Sequence, residues 1–394
     1  MTSDNFSPTR DQVRAIEVIL EWWRKKGADF VTLGGYAGTG KTTLVAEIRN
    51  RIRKERPNEK VAFCAFTGKA AMVLRQKLAE HITQLKGDSV GTIHSLIYCP
   101  IIDEKRGIIG WTKREKLETD LIVVDEASMV NEKIWEDLKS YRLPILAVGD
   151  HGQLPPIEGH FNLMDRPILK LQQIHRQAEN NPIIKLSMMA RLEGKIPTKI
   201  YSPKVKKMDR YRSDTGYLIE EELDNYNDEL MVLVGYNQSR IKLNKAIREK
   251  KMFESQDPQA GDKVICLRNN WQKNIFNGMT GKIKSIKPKY DNKGQKKWYQ
   301  AEIVMEDESV FEGLIAADQF DNPVSRNYEG KPIEEEVDLF DFGYALTVHK
   351  AQGGSAKKVL LFEERFAKMD DEEWRRWLYT GVTRAEEELT IVGV

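Results

Sequence analysis

Residues 34–43 read GGYAGTGKTT, and this segment constrains the chain more than any other because it fits the pattern Gly-x-x-x-x-Gly-Lys-Thr. A hydrophobic run precedes it and a helix-like segment follows, which is the strand–loop–helix context that a phosphate-binding loop requires. Glycines let backbone N–H groups wrap around phosphates, and the N-terminus of the following helix adds positive potential. The segment therefore predicts a nucleoside triphosphate site, with a chance glycine-rich turn as the alternative. The residues expected to contact the nucleotide are Gly35, Tyr36, Ala37, Gly38, Thr39, Gly40, Lys41, Thr42 and Thr43.

Three polar segments supply the chemistry that such a loop needs. Lys41 is expected to pair with the β- and γ-phosphates, and Thr42 is expected to bind Mg²⁺. The segment LIVVDEAS ends a predicted strand in Asp125, expected in the Mg²⁺ shell, and Glu126, expected to orient or deprotonate water. GDHGQLPP follows the next predicted strand, and its Gln153 is expected to sense the γ-phosphate. The alternatives are a solvated Asp-Glu turn and an exposed polar loop.

Size and composition limit the class of protein. With 394 residues the chain exceeds one ordinary core, so roughly two to four domains are expected. Its 62 basic and 60 acidic residues give a net charge of +2, so any contact with nucleic acid must come from local basic patches. The three scattered cysteines form no disulfide or zinc pattern, which fits a reducing cytoplasm. The absence of a signal-like start and of membrane-length apolar runs predicts a protein that neither is secreted nor spans a membrane.

Short apolar runs alternate with amphipathic segments along most of the chain. This rhythm predicts an α/β fold whose parallel sheets are covered on both faces, with ligands bound at the carboxyl ends of the strands. A second α/β pattern starts near Leu169 and resumes after a differently textured interval. The predicted strands are 30–33, 61–65, 121–124, 145–148, 231–234, 344–348, 358–362 and 389–392.

Two inserts interrupt the α/β pattern. Residues 97–111 have apolar arms around a charged turn, which predicts a β-hairpin. Residues 261–336 contain strand-like runs joined by Gly and Asn turns, which predicts a small antiparallel barrel. The expected organisation is a first α/β domain over 1–96 and 112–166, the hairpin over 97–111, a second α/β domain over 167–260 and 337–394, and the barrel over 261–336.

Two arginines lie in segments that open and close the second α/β pattern. Arg176 falls in LKLQQIHRQ and Arg384 in YTGVTRA. An arginine from a neighbouring domain can neutralise the charge that develops on a γ-phosphate, so both are candidates for that role. If both reach the loop, the nucleotide lies in a cleft between two domains. Surface salt bridges are the alternative for each arginine.

Together these segments resemble the motifs of superfamily 1 helicases, closest to the 5′→3′ branch, superfamily 1B, which includes Dda-like and RecD-like enzymes. The resemblance runs from about residue 6 to 394 in family order, which is far more specific than any single motif. It implies two RecA-like domains, a hairpin insert and an SH3-like β-barrel insert. The segments that carry it are FSPTRDQVRAI (Q motif), GYAGTGKTT (I), AFTGKAA (Ia), SVGTIHSL (next after Ia), VDEAS (II), GDHGQLPP (III), LQQIHRQ (IV), ALTVHKAQGGS (V) and YTGVTRA (VI).

The resemblance also assigns ligand contacts. It implies ATP and Mg²⁺ as cofactors, with Gln12 reading the adenine base. Many relatives carry a ribose-contacting glutamate where this chain has Ser355, which weakens the expected ribose recognition. The residues that it implies as contacts to single-stranded DNA are Thr67, Lys69, Thr92, His94, Asn237, Thr347 and His349. Helix-cap roles for the threonines and Asn237 and buried structural roles for the histidines are the alternatives.

Two further surfaces remain open to more than one interpretation. The hairpin 97–111 is the candidate wedge at the duplex fork, where Tyr98 and Trp111 either stack on bases or pack against the domain body. Residues 282–297 hold seven lysines against one acid. That run either binds phosphate backbone or is a solvated lysine face.

The sequence therefore predicts an ATP-dependent 5′→3′ DNA helicase that translocates on single-stranded DNA and unwinds duplex. The expected partners are single-stranded DNA and junctions of single- and double-stranded DNA, with replication or recombination proteins as further candidates. A monomer in a bacterial or phage-infected cytoplasm, with no membrane contact, is expected. The alternatives are a 3′→5′ helicase of superfamily 1A, an ATPase switch or accessory subunit that binds single strands without unwinding, and an RNA helicase.

Overall fold

The structure is a computed structural model that describes residues 8–25, 29–81, 87–103, 107–155, 161–174, 180–268, 270, 273, 275–324 and 337–394. The chain divides into two compact units. The first comprises Met1–Ile101 and Trp111–Arg191, and the second comprises Ile102–Gly110 and Leu192–Val394. Each unit is built around its own sheets.

The first unit contains a parallel sheet of six strands in the order β3-β2-β6-β7-β1-β8. Every neighbouring pair in this sheet is parallel, as predicted from the βαβ rhythm. The strands described up to residue 171 are β1 (Phe30–Gly35), β2 (Val61–Ala65), β3 (Ser89–Thr92), β4 (Tyr98–Asp103), β5 (Gly107–Lys113), β6 (Leu121–Asp125), β7 (Ile145–Gly149) and β8 (Leu169–Leu171). β4 and β5 pair with each other in a two-stranded sheet, where the sequence predicts a hairpin.

Helices cover both faces of this sheet, which explains why its central strands are buried along most of their length. Because side chains alternate along a strand, Leu121 and Val123 of β6 lie in one buried cluster and Ile122 and Val124 in another. The first helix begins with a capping box between Thr9 and Gln12. The helices are α1 (Arg10–Arg24), α2 (Lys41–Glu55), α3 (Gly68–His81), α4 (Ile93–Ile97) and α5 (Glu132–Lys139).

The second unit contains a sheet in the order β18-β11-β19-β20-β10-β9. Its neighbouring strands are parallel except for the edge pair β9 and β10. The remaining strands are β9 (Lys199–Ser202), β10 (Val205–Asp209), β11 (Leu230–Val234), β12 (Lys263–Cys266), β13 (Thr280–Tyr290), β14 (Lys296–Met305), β15 (Val310–Ala316), β16 (Val337–Asp338), β17 (Phe340–Phe342), β18 (Ala345–Thr347), β19 (Ala356–Phe362) and β20 (Ala385–Gly393). The remaining helices are α6 (Pro182–Glu193), α7 (Ser213–Asp224), α8 (Asn237–Lys250) and α9 (Asp371–Val382).

A further six-stranded sheet of the second unit has the order β16-β15-β14-β13-β12-β17 and is mainly antiparallel. It has its own buried cluster, which includes Ile303, Phe311 and Phe340. The sheet lies where the sequence predicts a barrel, but it extends beyond the predicted end at residue 336. β17 pairs with β12, so residues 340–342 complete this sheet although the sequence assigned them to the second α/β domain.

The predicted start of the second α/β pattern is wrong. The run at Leu169 does not open the second α/β pattern, because β8 pairs in parallel with β1 at the edge of the first sheet. Two bonds from the first helix region hold it there: the Asp11 carboxylate accepts hydrogen bonds from the backbone N–H groups of Gln172 (2.7 Å) and Gln173 (2.9 Å). Among the helices in the described ranges, none has both the length and the apolar character needed to cross a lipid bilayer.

Candidate functional site

The sequence-predicted polar residues of the first unit meet at the carboxyl edge of its sheet, where the parallel strands end. β1, β7 and β6 are neighbours in that order. The phosphate-binding loop follows β1, Asp150 follows β7, and Asp125 is the last residue of β6. The fold therefore brings together groups that are more than 100 residues apart in the chain (Gly35 and Asp150).

The loop after β1 is folded around the side chain of Lys41. Lys41 Nζ donates hydrogen bonds to the carbonyl oxygens of Gly35 (2.7 Å) and Tyr36 (3.2 Å). It also lies 3.9 Å from Oδ2 of Asp150, a side chain that is only 2% exposed. The ammonium group is thus held inside the loop, at the position where a phosphate oxygen can replace the carbonyl contacts.

Gly40 must be glycine for two reasons. Its φ of +73° lies in the left-handed region, which disfavours residues with a Cβ atom. A Cβ atom there would also lie 2.8 Å from Nε2 of Gln12. The last glycine of the motif therefore lets α1 approach the loop and starts α2 directly after it.

Gln12 links the first helix to the phosphate-binding loop. Its side chain is completely buried, with Nε2 donating to the carbonyl of Thr39 (2.9 Å) and Oε1 accepting from the backbone N–H of Thr9 (2.9 Å). Sequence reasoning assigned this residue to base recognition alone. Its contacts show in addition that it holds the loop, a role that the capping pattern Thr-x-x-Gln only partly signals.

Two carboxylates stand side by side at the end of β6. Burial, together with the neighbouring charge of Glu126, raises the pKa of Asp125 to about 6. Glu126 adopts a left-handed backbone conformation with φ of 50°, which is uncommon for a residue other than glycine and concentrates at functional sites. Its Oε2 atom is buried without a hydrogen-bond partner within the described part of the chain. Two close carboxylates with an unsatisfied oxygen are suited to a cation and an ordered water.

The loop after β7 places an amide beside the carboxylate of Asp150. Gln153 is buried at 6% exposure, and its Nε2 lies 3.5 Å from Oδ2 of Asp150. Its Oε1 is buried and has no partner among the residues that the structure describes. The alternative of an exposed polar loop is therefore wrong for Gln153. Asp150 was not singled out from the sequence, although its place directly after a buried strand was a usable signal.

Three side chains pack together at the loop residue Tyr36. The Tyr36 ring packs against the ring of His151, with centroids 4.1 Å apart, and the Arg191 guanidinium lies 3.4 Å from the centre of the Tyr36 ring. Burial lowers the pKa of His151 to about 4, so its imidazole is neutral at pH 7. Arg191 lies in α6, far along the chain, and no sequence signal pointed to it.

The residues of this edge fit Mg²⁺ bound together with a nucleotide. Within the described ranges no group of three or more His, Cys, Asp or Glu side chains is arranged to hold a metal. Mg²⁺ is usually held by one or two carboxylates together with substrate phosphates. Thr42, at the start of α2, and Asp125, at the end of β6, are the residues predicted to hold Mg²⁺ in such an arrangement.

The candidate residues of the second unit make structural bonds of their own. Arg384 is 5% exposed, and its guanidinium donates to the carbonyl oxygens of Thr380 (3.1 Å) and Gly354 (2.8 Å). The hydroxyl of Ser355 donates to the carboxylate of Glu386. Arg384 is therefore not an isolated surface ion pair; it links the segment containing Ser355 to α9. Arg176 lies outside the described residues.

The three threonines singled out from the sequence act as local caps. The Thr67 hydroxyl accepts from the N–H of Ala70 (3.1 Å), and Thr92 accepts from the N–H of Ser95 (3.1 Å). Thr347 accepts a longer bond from the N–H of Lys350 (3.4 Å). The Thr92 hydroxyl also donates to Oγ of Ser95 (3.1 Å). The caps at Thr67 and Thr347 each accept one bond, so the hydroxyl proton of these two residues can still be donated to a phosphate. The side chain of Lys69 lies outside the described part.

His94 is buried and His349 is half-buried. Burial lowers the pKa of His94 to about 3, and its ring packs against Tyr98 with centroids 5.1 Å apart. Burial also lowers the pKa of His349. Asn237 is exposed and is the first residue of α8, whereas the N-cap is Tyr236, so the N-cap interpretation of Asn237 is wrong.

Two family models match the chain. A model described as an AAA domain matches residues 8–208. A model described as a UvrD-like helicase C-terminal domain matches residues 342–392. The first match includes the whole carboxyl edge described above, and the second includes Thr347, Ser355 and Arg384.

Curated relatives match most of the chain. It is 27% identical to the ATP-dependent RecD2 DNA helicase of Deinococcus radiodurans, over 93% of this chain and 47% of that protein. It is 25% identical to the RecBCD enzyme subunit RecD of Buchnera aphidicola, over 98% of this chain and 73% of the relative. It is 26% identical to the ATP-dependent DNA helicase Pif1 of Campylobacter jejuni, over 84% of this chain and 82% of the relative. The chain thus spans about half the length of the RecD2 relative.

Solved structures share the fold. A Pif1 helicase from Bacteroides in complex with ADP-AlF3 and ssDNA covers 98% of this chain and 92% of its own, with a TM-score of 0.50 and 16% identity. A structure of two coordinating Pif1 helicases at forked dsDNA covers the same shares, with a TM-score of 0.51 and 16% identity. At 16% identity the similarity shows a shared fold and nothing more specific.

Proposed function

The chain belongs to the AAA-domain family, whose model matches residues 8–208, and on this premise we propose that it is an ATP-dependent DNA helicase of the RecD and Pif1 type. It would translocate 5′→3′ on single-stranded DNA and unwind duplex. The relatives named as RecD2, RecD and Pif1 helicases support this assignment, as does the UvrD-like helicase match near the C-terminus.

One observation carries the proposal. Lys41, Asp125 and Gln153 converge at the ends of three neighbouring strands, with the Glu126 and Gln153 oxygens buried and unsatisfied in the described structure. Such a constellation binds a triphosphate through backbone N–H groups and a lysine, and places a carboxylate and an amide near the terminal phosphate.

Each residue has an assigned role in hydrolysis. Lys41 holds the β- and γ-phosphates, and the N–H groups of the loop and of α2 donate to the phosphate oxygens. Glu126 accepts a hydrogen bond from the attacking water and orients it, while Gln153 contacts the γ-phosphate. Thr42 and Asp125 would hold Mg²⁺, which neutralises charge on the β- and γ-oxygens when bound.

The domain architecture and the remaining ligand contacts are part of the same proposal. The two compact units correspond to RecA-like domains, and the mainly antiparallel sheet of the second unit corresponds to an SH3-like barrel. Arg176 and Arg384 supply cations to the γ-phosphate, and Ser355 faces the ribose. The DNA backbone is contacted, without reading of its sequence, by seven residues: Thr67, Lys69, Thr92, His94, Asn237, Thr347 and His349.

The direct test uses duplex DNA with single-stranded tails. We expect Mg·ATP to support unwinding of a duplex with a 5′ tail and not of one with a 3′ tail or with blunt ends. Strand separation is followed by loss of quenching between paired dyes, with an excess of trap DNA. Unwinding from the 3′ tail alone would make the protein a 3′→5′ helicase. ATP hydrolysis that ignores added single-stranded DNA would favour an ATPase switch, and unwinding confined to tailed RNA would favour an RNA helicase.

A substitution of Gln12 separates its two assigned roles. In Gln12→Ala, loss of the bond to the Thr39 carbonyl loosens the loop for any nucleotide, so we expect the KM for both ATP and GTP to rise roughly 10-fold. A contact to adenine adds a further loss for ATP alone. Steady-state hydrolysis of both nucleotides in the presence of single-stranded DNA measures both effects. A loss for ATP with no change for GTP contradicts the loop-holding role, and equal losses contradict the adenine contact.

A further inference from the structure

The hairpin formed by β13 and β14 presents lysines that the proposed motor does not use. Lys287 and Lys289 are exposed and pair in register with Gln300 and Trp298 of β14, so all four lie on one face of the sheet. Lys293 is exposed in the turn that joins the two strands. We call Lys287, Lys289 and Lys293 the lysine face.

These three lysines differ from the other four in the same hairpin. The other four lie within ion-pair distance of carboxylates: Lys282 with Asp228 (2.6 Å), Lys284 with Glu302 (2.7 Å), Lys296 with Asp257 (2.5 Å) and Lys297 with Asp291 (3.1 Å). No carboxylate among the described residues lies within ion-pair distance of Lys287, Lys289 or Lys293. The lysine face therefore carries three positive charges that the described protein does not neutralise.

The hairpin contacts the amino-terminal end of β11, whereas the residues proposed to contact the translocating strand lie at the carboxyl ends of β11 and β18. Asn237 lies just beyond the carboxyl end of β11, and Thr347 is the last residue of β18. Lys282 pairs with Asp228, just before β11, and Lys296 pairs with Asp257, beyond the end of α8. Because α8 spans 14 residues, its two ends are about 21 Å apart. The lysine face is thus a surface separate from the proposed strand contacts.

The chemistry of the face fits a phosphate backbone. Alternate residues of a strand lie about 6.7 Å apart on one face, so Lys287 and Lys289 can contact successive phosphates of one strand. The aromatic ring on this face, Trp298, packs against the cluster of Ala316, Val337 and Leu339. Because the protein already covers part of this half-buried ring, Trp298 is a poor platform for stacking unpaired bases.

We propose that the lysine face binds the sugar–phosphate backbone of double-stranded DNA. A duplex offers one negative charge per about 1.7 Å of helix axis and needs no aromatic platform, because its bases are already stacked. The inference rests on the proposed function, since a helicase that unwinds duplex works beside a double-stranded arm. It adds a second nucleic-acid surface to the one that grips the single strand.

Equilibrium binding of the full chain tests this inference. The probes are a blunt 20-base-pair duplex and a 20-nucleotide single strand, both dye-labelled and followed by anisotropy from 50 to 200 mM salt. In the triple variant Lys287→Ala, Lys289→Ala, Lys293→Ala we expect duplex affinity at 100 mM salt to fall on the order of 10²-fold. The slope of log K against log salt should become shallower by about 2.7, because each phosphate contact contributes about 0.9. Affinity for the single strand and the ATPase activity that it stimulates should stay unchanged.

A matched triple variant controls for total charge. Lys282→Ala, Lys284→Ala, Lys297→Ala removes the same number of charges from the same hairpin, but these lysines are ion-paired. We expect a much smaller change in the duplex salt slope. Equal slopes in the two variants, an unchanged duplex slope in the first, or no duplex binding by the parent chain each overturn the inference. An equal loss of single-strand affinity reassigns the face to single strands. Lack of ATPase stimulation by single strands tests the proposed function separately.

Discussion

Replacing Lys41 with alanine is expected to lower the turnover of ATP by on the order of 10²–10³-fold and to abolish unwinding. Lys41 Nζ is held inside the loop by the carbonyls of Gly35 and Tyr36 and lies 3.9 Å from the Asp150 carboxylate. Among the described residues of the loop, Lys41 supplies the positive side chain. Without it, only backbone dipoles of the loop remain to stabilise the charge that develops on the phosphate. Turnover is measured as phosphate release with saturating single-stranded DNA, and unwinding with the 5′-tailed duplex.

The control for this variant lies on the same helix. Lys54 is exposed near the carboxyl end of α2, so Lys54→Ala removes an equal charge away from the loop and should leave turnover within about 2-fold. Circular dichroism should show the same helix content for both variants. Turnover by Lys41→Ala within 10-fold of the parent chain would falsify the assignment of the loop as the ATP site.

Asp88→Ala is expected to lower the free energy of unfolding of the first unit by about 3–5 kcal/mol. The Asp88 carboxylate is fully buried and accepts two hydrogen bonds from Arg49 (both 2.8 Å) and one from the N–H of Val61 (3.0 Å). Arg49 is itself 3% exposed, so removing the carboxylate leaves a buried guanidinium without its counter-charge. Arg49 lies on α2, so this pair fixes the helix that starts at the phosphate-binding loop. Differential scanning calorimetry should show the transition of this unit lowered by roughly 6–20 °C.

Two further variants test whether the loss of stability comes from breaking a buried charge pair or only from removing a carboxylate. Asp120 is exposed and accepts one bond from the N–H of Lys60 (2.9 Å), so Asp120→Ala should cost less than about 1 kcal/mol. Adding Arg49→Met to Asp88→Ala removes the unpaired charge and should recover part of the loss. If the double variant is less stable than Asp88→Ala alone, the cost does not come from an uncompensated charge.

The parallel sheet and the edge at which the candidate site lies could be predicted from local sequence. β2 is apolar at every position and β6 is apolar up to its final aspartate, which is typical of strands buried on both faces. Each functional segment directly follows such a run, so its place at the carboxyl edge follows from strand direction alone. The positions of Lys41, Asp125 and Gln153 were therefore predictable.

The partners of individual side chains could not be predicted in this way. The strand at Leu169 pairs with β1, and Asp11, more than 150 residues earlier, accepts hydrogen bonds from the backbone that follows the strand. Arg191 reached Tyr36 across a similar distance. Gln12 carries a recognisable pattern with Thr9, but its bond to Thr39 depends on how α1 packs.

By itself, the sequence determined the type of each segment and the chemical groups at its ends, because strand pattern, turn residues and helix starts depend on near neighbours in the chain. It also predicted a nucleotide site, through one loop whose glycines and lysine lie within seven residues, from Gly35 to Lys41. Only the tertiary structure decided which carboxylates, amides and lysines have partners. Those hydrogen bonds and ion pairs join residues far apart in sequence, and packing alone sets whether a charge such as that of Asp88 is matched or one such as that of Lys287 is left exposed.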